Sequence, residues 1–89
     1  MPSWRIEVKS AAEKKYLKLT AKTRRQIKAA LHQLEKEDTP LHHPRVRRLS
    51  GKLEGDYRLR VGEWRVLFTP DKDSKVLHVY AILPRGDDY

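Results

Sequence analysis

The sequence predicts an α+β domain: an N-terminal strand, a two-helix hairpin, then an antiparallel sheet of three to four strands with the helices on one face. Two observations predict it. The apolar period is two at the N-terminus, changes to 3.6 between about Ser10 and Glu37, and returns to two from Val46 onward. No repeat, low-complexity tract or linker interrupts the 89 residues, enough for one modest core and not for two, so a single domain over residues 1–89 is expected.

Trp4-Arg5-Ile6-Glu7-Val8 alternates apolar and polar and reads as a short half-buried strand. Ser10-Ala11-Ala12-Glu13 has the spacing of a capping box, predicting a helix start there and a helix to about Leu19. Thr20 is the next expected N-cap. From Ala21 to about Glu37, Ile27, Ala30, Leu31 and Leu34 mark one face of an amphipathic helix, with Lys22, Arg24, Arg25, Lys28 and Lys36 mostly on the others. The prolines of Asp38–Pro44 stop that helix and make a loop. Val46 to Leu49 is expected as a short strand before a turn at Ser50-Gly51. Tyr57–Val61 is a strand with Tyr57, Leu59 and Val61 on one face and Arg58 and Arg60 on the other. A tight turn at Gly62-Glu63 leads into Trp64–Phe68, and Pro70–Ser74 is expected to turn again. Val76 to Leu83 is almost continuously apolar, which predicts an interior strand covered on both faces.

Composition narrows the functional classes. With 38% hydrophobic and 36% charged residues, the chain has the average character of a globular protein. No stretch approaches the roughly 18 apolar residues of a spanning helix, so no membrane association is expected. Met1–Glu7 lacks the apolar segment of a secretory signal. The absence of cysteine removes disulfide and thiolate chemistry, and a cytoplasmic location follows as the expectation. His32, His42, His43 and His78 show no metal-ligand spacing, so neither a metal nor another cofactor is expected.

The formal charge of +8 and pI near 10.0 favour polyanions without saying which. The distribution says more. Up to residue 41 there are seven Lys and three Arg; from residue 42 there are seven Arg and three Lys. Lysine suits a solvated helix face, whereas arginine's planar fork suits bidentate phosphate contacts and base stacking. Arg58 and Arg60 share the face turned away from the helices, Arg65 opposes them across the hairpin, and Arg85 follows the last strand. Guanidinium groups gathered on one open face repel one another unless an anion joins them, and a phosphodiester is a natural complement. Solvated arginines of an outer strand face remain the plainer reading. Arg45, Arg47, Arg48 and Lys52 are either an RNA-docking patch or solubilising charge. The strand parity of Trp4, Trp64 and Phe68 assigns them to the core.

The stretch from Leu49 to Phe68, with its Gly55-Asp56-Tyr57-Arg58-Leu59-Arg60-Val61-Gly62-Glu63-Trp64-Arg65 run, resembles the signature region of the RelE/ParE toxin superfamily. The family pattern continues with an apolar strand and an Arg followed four residues on by a Tyr, matched by Arg85 and Tyr89. The preceding strand and helices agree in order and size, so the resemblance covers essentially the whole chain. It implies the RelE-like fold and a toxin of a type II toxin–antitoxin system, held inactive by a cognate acidic antitoxin. In the RelE-like branch it further implies a ribosome-dependent endonuclease that cuts messenger RNA by 2′-hydroxyl attack, leaving a 2′,3′-cyclic phosphate. On that reading Arg58 and Arg60 orient the RNA, Arg65 stabilises charge on the scissile phosphate, Arg85 supports the phosphate or leaving group, and Tyr89 positions a nucleotide. Where some nucleases of the superfamily place a His before the last arginine, this chain has Pro84. Arginine, with a pKa above ~12, is a poor general base, so these residues act through electrostatics and positioning and the base stays unassigned. Two other classes stay open: a ParE-like inhibitor of DNA gyrase without nuclease activity, and a non-catalytic nucleic-acid-binding module.

Overall fold

The computed structural model describes residues 4–84, so Arg85 and Tyr89 lie outside the described residues. Along the chain run β1 (Arg5–Val8), α1 (Ser10–Leu17), α2 (Ala21–Lys36), β2 (Val46–Arg48), β3 (Tyr57–Val61), β4 (Trp64–Asp71) and β5 (Val76–Pro84). Short 3-10 turns at Pro40–His42 and Gly51–Leu53 flank β2. The strands form one sheet in the order β1-β5-β4-β3-β2. β2 through β5 are antiparallel neighbours, and β1 joins the edge of β5 in parallel, as Ile6 opposite Leu77 shows. The sheet is therefore mixed and five-stranded, one strand richer than the antiparallel part expected from the sequence. The two helices carry the chain from β1 at one edge to β2 at the other, and β3 and β4 return it so that β5 lies parallel beside β1.

The α1–α2 hairpin packs on one face of this sheet. Ile27, Ala30 and Leu34 of α2 are buried with Ala12 and Leu19, against Leu59, Val66, Phe68, Leu77 and Val79 of the strands. Trp4 and Trp64 pack against the same core, and the Tyr57 and Phe68 rings stack at 6.0 Å. Arg24 staples the two helices: its Nη1 donates to the Leu17 and Leu19 carbonyls at 3.3 and 2.9 Å. Those carbonyls lie where the end of α1 leaves acceptors without helical partners. Thr20 caps α2 as expected, its Oγ1 accepting from the Thr23 amide at 3.2 Å.

Three expectations need correction. The capping box at Ser10–Glu13 is not formed: Ser10 is already helical, Lys9 holds the N-cap position, and no side chain caps α1. The Glu13 amide donates to the Lys9 carbonyl at 2.9 Å, a backbone bond one residue earlier than the motif requires. Second, β4 continues through Pro70 to Asp71, and the turn falls after it. Past Phe68 the strand has β5 but no β3 beside it, and proline is tolerated where only one side is paired. Third, β5 is interior but not covered on both faces: Leu77, Val79 and Ile82 are buried under the helices, while His78, Tyr80 and Leu83 are partly exposed. A bulge explains the unbroken apolar run. Leu67 opposes Ala81 and Phe68 opposes Val79, so Tyr80 is the extra residue and the in–out alternation restarts after it.

Candidate nucleic-acid interface

The face without helices is where the arginines meet. Gly62, at φ 57°, closes the β3–β4 hairpin in two residues, a conformation that suits glycine at the first central position of the turn. That turn fixes the register: Arg60 pairs with Arg65, and on the other side of β3 Arg47 pairs with Arg58. Directly opposed residues have their Cβ atoms about 4.5–5.5 Å apart, and like charges so placed destabilise the sheet. Arg58 and Arg60, two residues apart, are separated by about 6.6–6.8 Å along the strand. Arg45 lies alongside Arg60, whose amide donates to the Arg45 carbonyl at 3.0 Å. Among the described residues, no carboxylate forms an ion pair with Arg45, Arg47, Arg58 or Arg60. Arg58, Arg60, Arg65, Gly62 and Trp64 line a cleft of about 130 Å³. Trp64 belongs to both sides of the sheet's end, since the Lys15 ammonium sits 5.6 Å over its ring from α1 while the residue also lines the cleft.

Other residues singled out in the sequence stand elsewhere. Arg48 pairs with Tyr57 and so has the parity of the helix-covered face, lining a separate depression with Glu54 and Lys72. Lys52 sits in the second 3-10 turn. His43 has a local role, its Nδ1 accepting from the Arg45 amide at 3.1 Å, and His42 ends the first 3-10 turn. His78 is on the open face, with Nδ1 3.4 Å from Glu7 Oε2 but out of hydrogen-bonding geometry. Its cross-strand partner Thr69 is four residues from Arg65 along β4, roughly 13 Å at strand rise. That is far outside the ~2.6–3.2 Å needed for direct proton transfer at a phosphate held in the cleft.

At this end of the open face lies a cluster that sequence reasoning did not assemble. Tyr80 Oη donates to Asp56 Oδ2 at 2.7 Å, and Thr69 Oγ1 donates to Asp56 Oδ1 at 2.8 Å. Together with Lys9 and His78 they line a depression of about 460 Å³. Burial, and then the hydrogen bond and negative charge of Asp56, push the Tyr80 phenol well above its ordinary 10.0. Tyr80 is thus a protonated donor at neutral pH. The sequence pattern ends β4 before Thr69 and predicts a β5 covered on both faces, and Asp56 lies in the turn before β3, where no periodicity applies.

The helix side carries a second feature. Ile6, Val8, Tyr16, Leu17 and Leu31 line an apolar groove of about 380 Å³ between the helices and β1. Val8 and Leu17 are 42% and 62% exposed there.

Residues 6–89 match the family described as ParE toxin of type II toxin–antitoxin system, parDE. The fold is similar to that in the archaeal RelE–RelB complex from Pyrococcus horikoshii OT3, with 25% identity and a TM-score of 0.77 over 97% of this chain and 99% of that one. It is similar as well to the toxin–antitoxin complex RelBE2 from Mycobacterium tuberculosis, with 22% identity and a TM-score of 0.80 over 98% of this chain and 97% of that one. Against the isolated E. coli RelE toxin the TM-score is 0.70 at 19% identity, covering 96% of this chain and 87% of that one. No sequence among curated proteins matches significantly.

Proposed function

This chain belongs to the ParE toxin family of type II toxin–antitoxin systems, and from that membership we propose that it is a ribosome-dependent messenger-RNA endonuclease that inhibits translation in the cytoplasm. The observation that carries the nuclease reading is the pair of directly opposed arginines on the open sheet, Arg60 with Arg65 and Arg47 with Arg58. Arg47 and Arg58 have no carboxylate ion-paired to either among the described residues, and an RNA phosphate entering beside them relieves their repulsion.

Bound there, the scissile phosphate is gripped by Arg60 and Arg65, with Arg58 steering the strand. The adjacent 2′-oxygen forms a bond to phosphorus as it gives up its proton, and the P–O5′ bond breaks, leaving a 2′,3′-cyclic phosphate and a 5′-hydroxyl that takes up a proton. The excess charge of the pentavalent state falls on oxygens facing preorganised guanidinium groups, which lowers the barrier without any arginine acting as a base. Arg85 and Tyr89 complete this set in the proposal, Arg85 at the leaving group and Tyr89 against a nucleotide. Arg45, Arg47, Arg48 and Lys52 provide docking charge for RNA.

A cognate acidic antitoxin is the expected partner. The relatives from Pyrococcus horikoshii and Mycobacterium tuberculosis are toxin–antitoxin complexes, and the groove beside Val8 and Leu17 offers an apolar helix a seat on a chain of charge +8.

Primer extension on a reporter message in bacterial cell-free translation tests the proposal. New 5′ ends inside the coding region, appearing only with ribosomes present, are the expected result. The family match to ParE toxins favours a second reading, inhibition of DNA gyrase without nuclease activity. An intact message together with lost gyrase supercoiling of a relaxed plasmid would establish that alternative.

A further inference from the structure

The open sheet face does not end at the arginine cleft. Tyr80 projects from the bulge of β5, and its hydroxyl reaches Asp56 at 2.7 Å. Asp56 immediately precedes β3, so the phenol spans from β5 across β4, two inter-strand spacings of ~4.8 Å each. A ring tied at both ends in this way lies along the sheet rather than standing off it. Leu67, on the same face as Arg65, is only 1% exposed although no helix covers that side, so side chains of the open face fold down over it. Beside the phenol is the depression of about 460 Å³ lined by Lys9, Asp56, Thr69, His78 and Tyr80.

We propose that Tyr80 and the depression beside it form a nucleotide subsite, in which a base of the bound single-stranded RNA stacks on the Tyr80 ring, one or two nucleotides from the phosphate in the arginine cleft. The inference rests on the RNA-binding reading above and adds a specific place for a base. An aromatic ring held flat on an exposed sheet is a stacking platform tolerant of base identity. The surrounding groups suit the rest of a nucleotide: Lys9 is a cation for a phosphate, while Thr69 and His78 line the space beside the ring. The separation fits as well, because Thr69 is four residues from Arg65 on β4, roughly 13 Å. The hydrogen bond to Asp56 fixes the ring before RNA arrives, so little rotamer freedom is lost on stacking. Tyr89 lies outside the described residues.

The test uses the full chain and a non-cleavable 2′-O-methyl single-stranded RNA at low salt. In amide NMR spectra of the unaltered protein, titration with this RNA should shift Thr69, His78 and Tyr80 together with Arg58–Arg65. By anisotropy, Tyr80→Leu should weaken binding by on the order of 10-fold, within the range found for removing one stacked base, while Tyr80→Phe, which keeps the ring, should bind within about 3-fold of the parent. Amide shifts confined to the β3–β4 hairpin, or equal affinities for Tyr80→Leu and the parent, would overturn the subsite and leave the arginine face standing. An RNA that shifts neither region, or whose affinity is indifferent to Arg60→Gln, removes the underlying reading together with the subsite.

Discussion

Arg60 and Arg65 face each other across β3 and β4, which gives the two roles a residue can play opposite signs. A structural arginine stabilises the fold; one kept for an absent anion costs stability. Arg60→Gln retains the aliphatic stem but removes the charge, so it should raise the unfolding free energy by about 0.2–1 kcal/mol, the size of a cross-strand charge effect, in urea titrations. The same substitution should lower ribosome-dependent cleavage by on the order of 10²–10³, as removal of one transition-state donor does. A loss of stability would instead assign Arg60 to holding the sheet. Tyr80 gives a second prediction at this scale. Its pKa is raised in the folded chain, so the stability it contributes is fully present below its ordinary 10.0 and is lost as pH rises above that value. Unfolding at increasing alkaline pH should therefore show a destabilisation that Tyr80→Phe abolishes. A parallel loss in both proteins would mean that burial and Asp56 do not hold the phenol protonated.

Helix starts separate the two kinds of signal that a sequence carries. Thr20 was legible because a single side chain and the amide three residues on suffice, and the structure makes that bond at 3.2 Å. Ser10 matched a longer motif, yet the helix begins one residue earlier than the motif allows, because Lys9 is already fixed by its amide bond to the Val79 carbonyl at 2.7 Å. A tertiary bond from β5 outweighs a local cap. Accordingly, Thr20→Ala should cost about 1 kcal/mol by chemical denaturation, whereas Ser10→Ala should stay within roughly 0.5 kcal/mol of the parent. Comparable losses would restore the capping box. The β strands divide in the same way. Tyr57–Val61 and its hairpin were readable to the residue from alternation and one glycine. The bulge at Tyr80 and the parallel pairing of β1 were not, because each depends on which strand becomes a neighbour and no periodicity records that.

For the whole molecule, the question is whether its charge of +8 acts as a diffuse field or as a localised site. The composition alone cannot distinguish them, although the shift from lysine to arginine along the chain already pointed to the second half. The fold makes the distinction physical: Arg45, Arg47, Arg58, Arg60 and Arg65 gather on the open face, whereas Lys14, Lys22 and Lys28 lie on helices that cover the other. Salt dependence reads this directly, since each phosphate neutralised on a single strand contributes about −0.7 to the slope of log K against log salt. If Arg60 and Arg65 share the scissile phosphate and Arg47 and Arg58 each meet another, the slope for a short single-stranded RNA should be about −2.1. Replacing Arg47 or Arg58 by glutamine should then remove about 0.7 of it, while Lys22→Gln should leave the slope unchanged and lower affinity only slightly through the long-range field. Equal slope changes from the strand arginines and from Lys22 would show that RNA is held by the molecule's overall charge, and the open sheet would lose its claim to be the site.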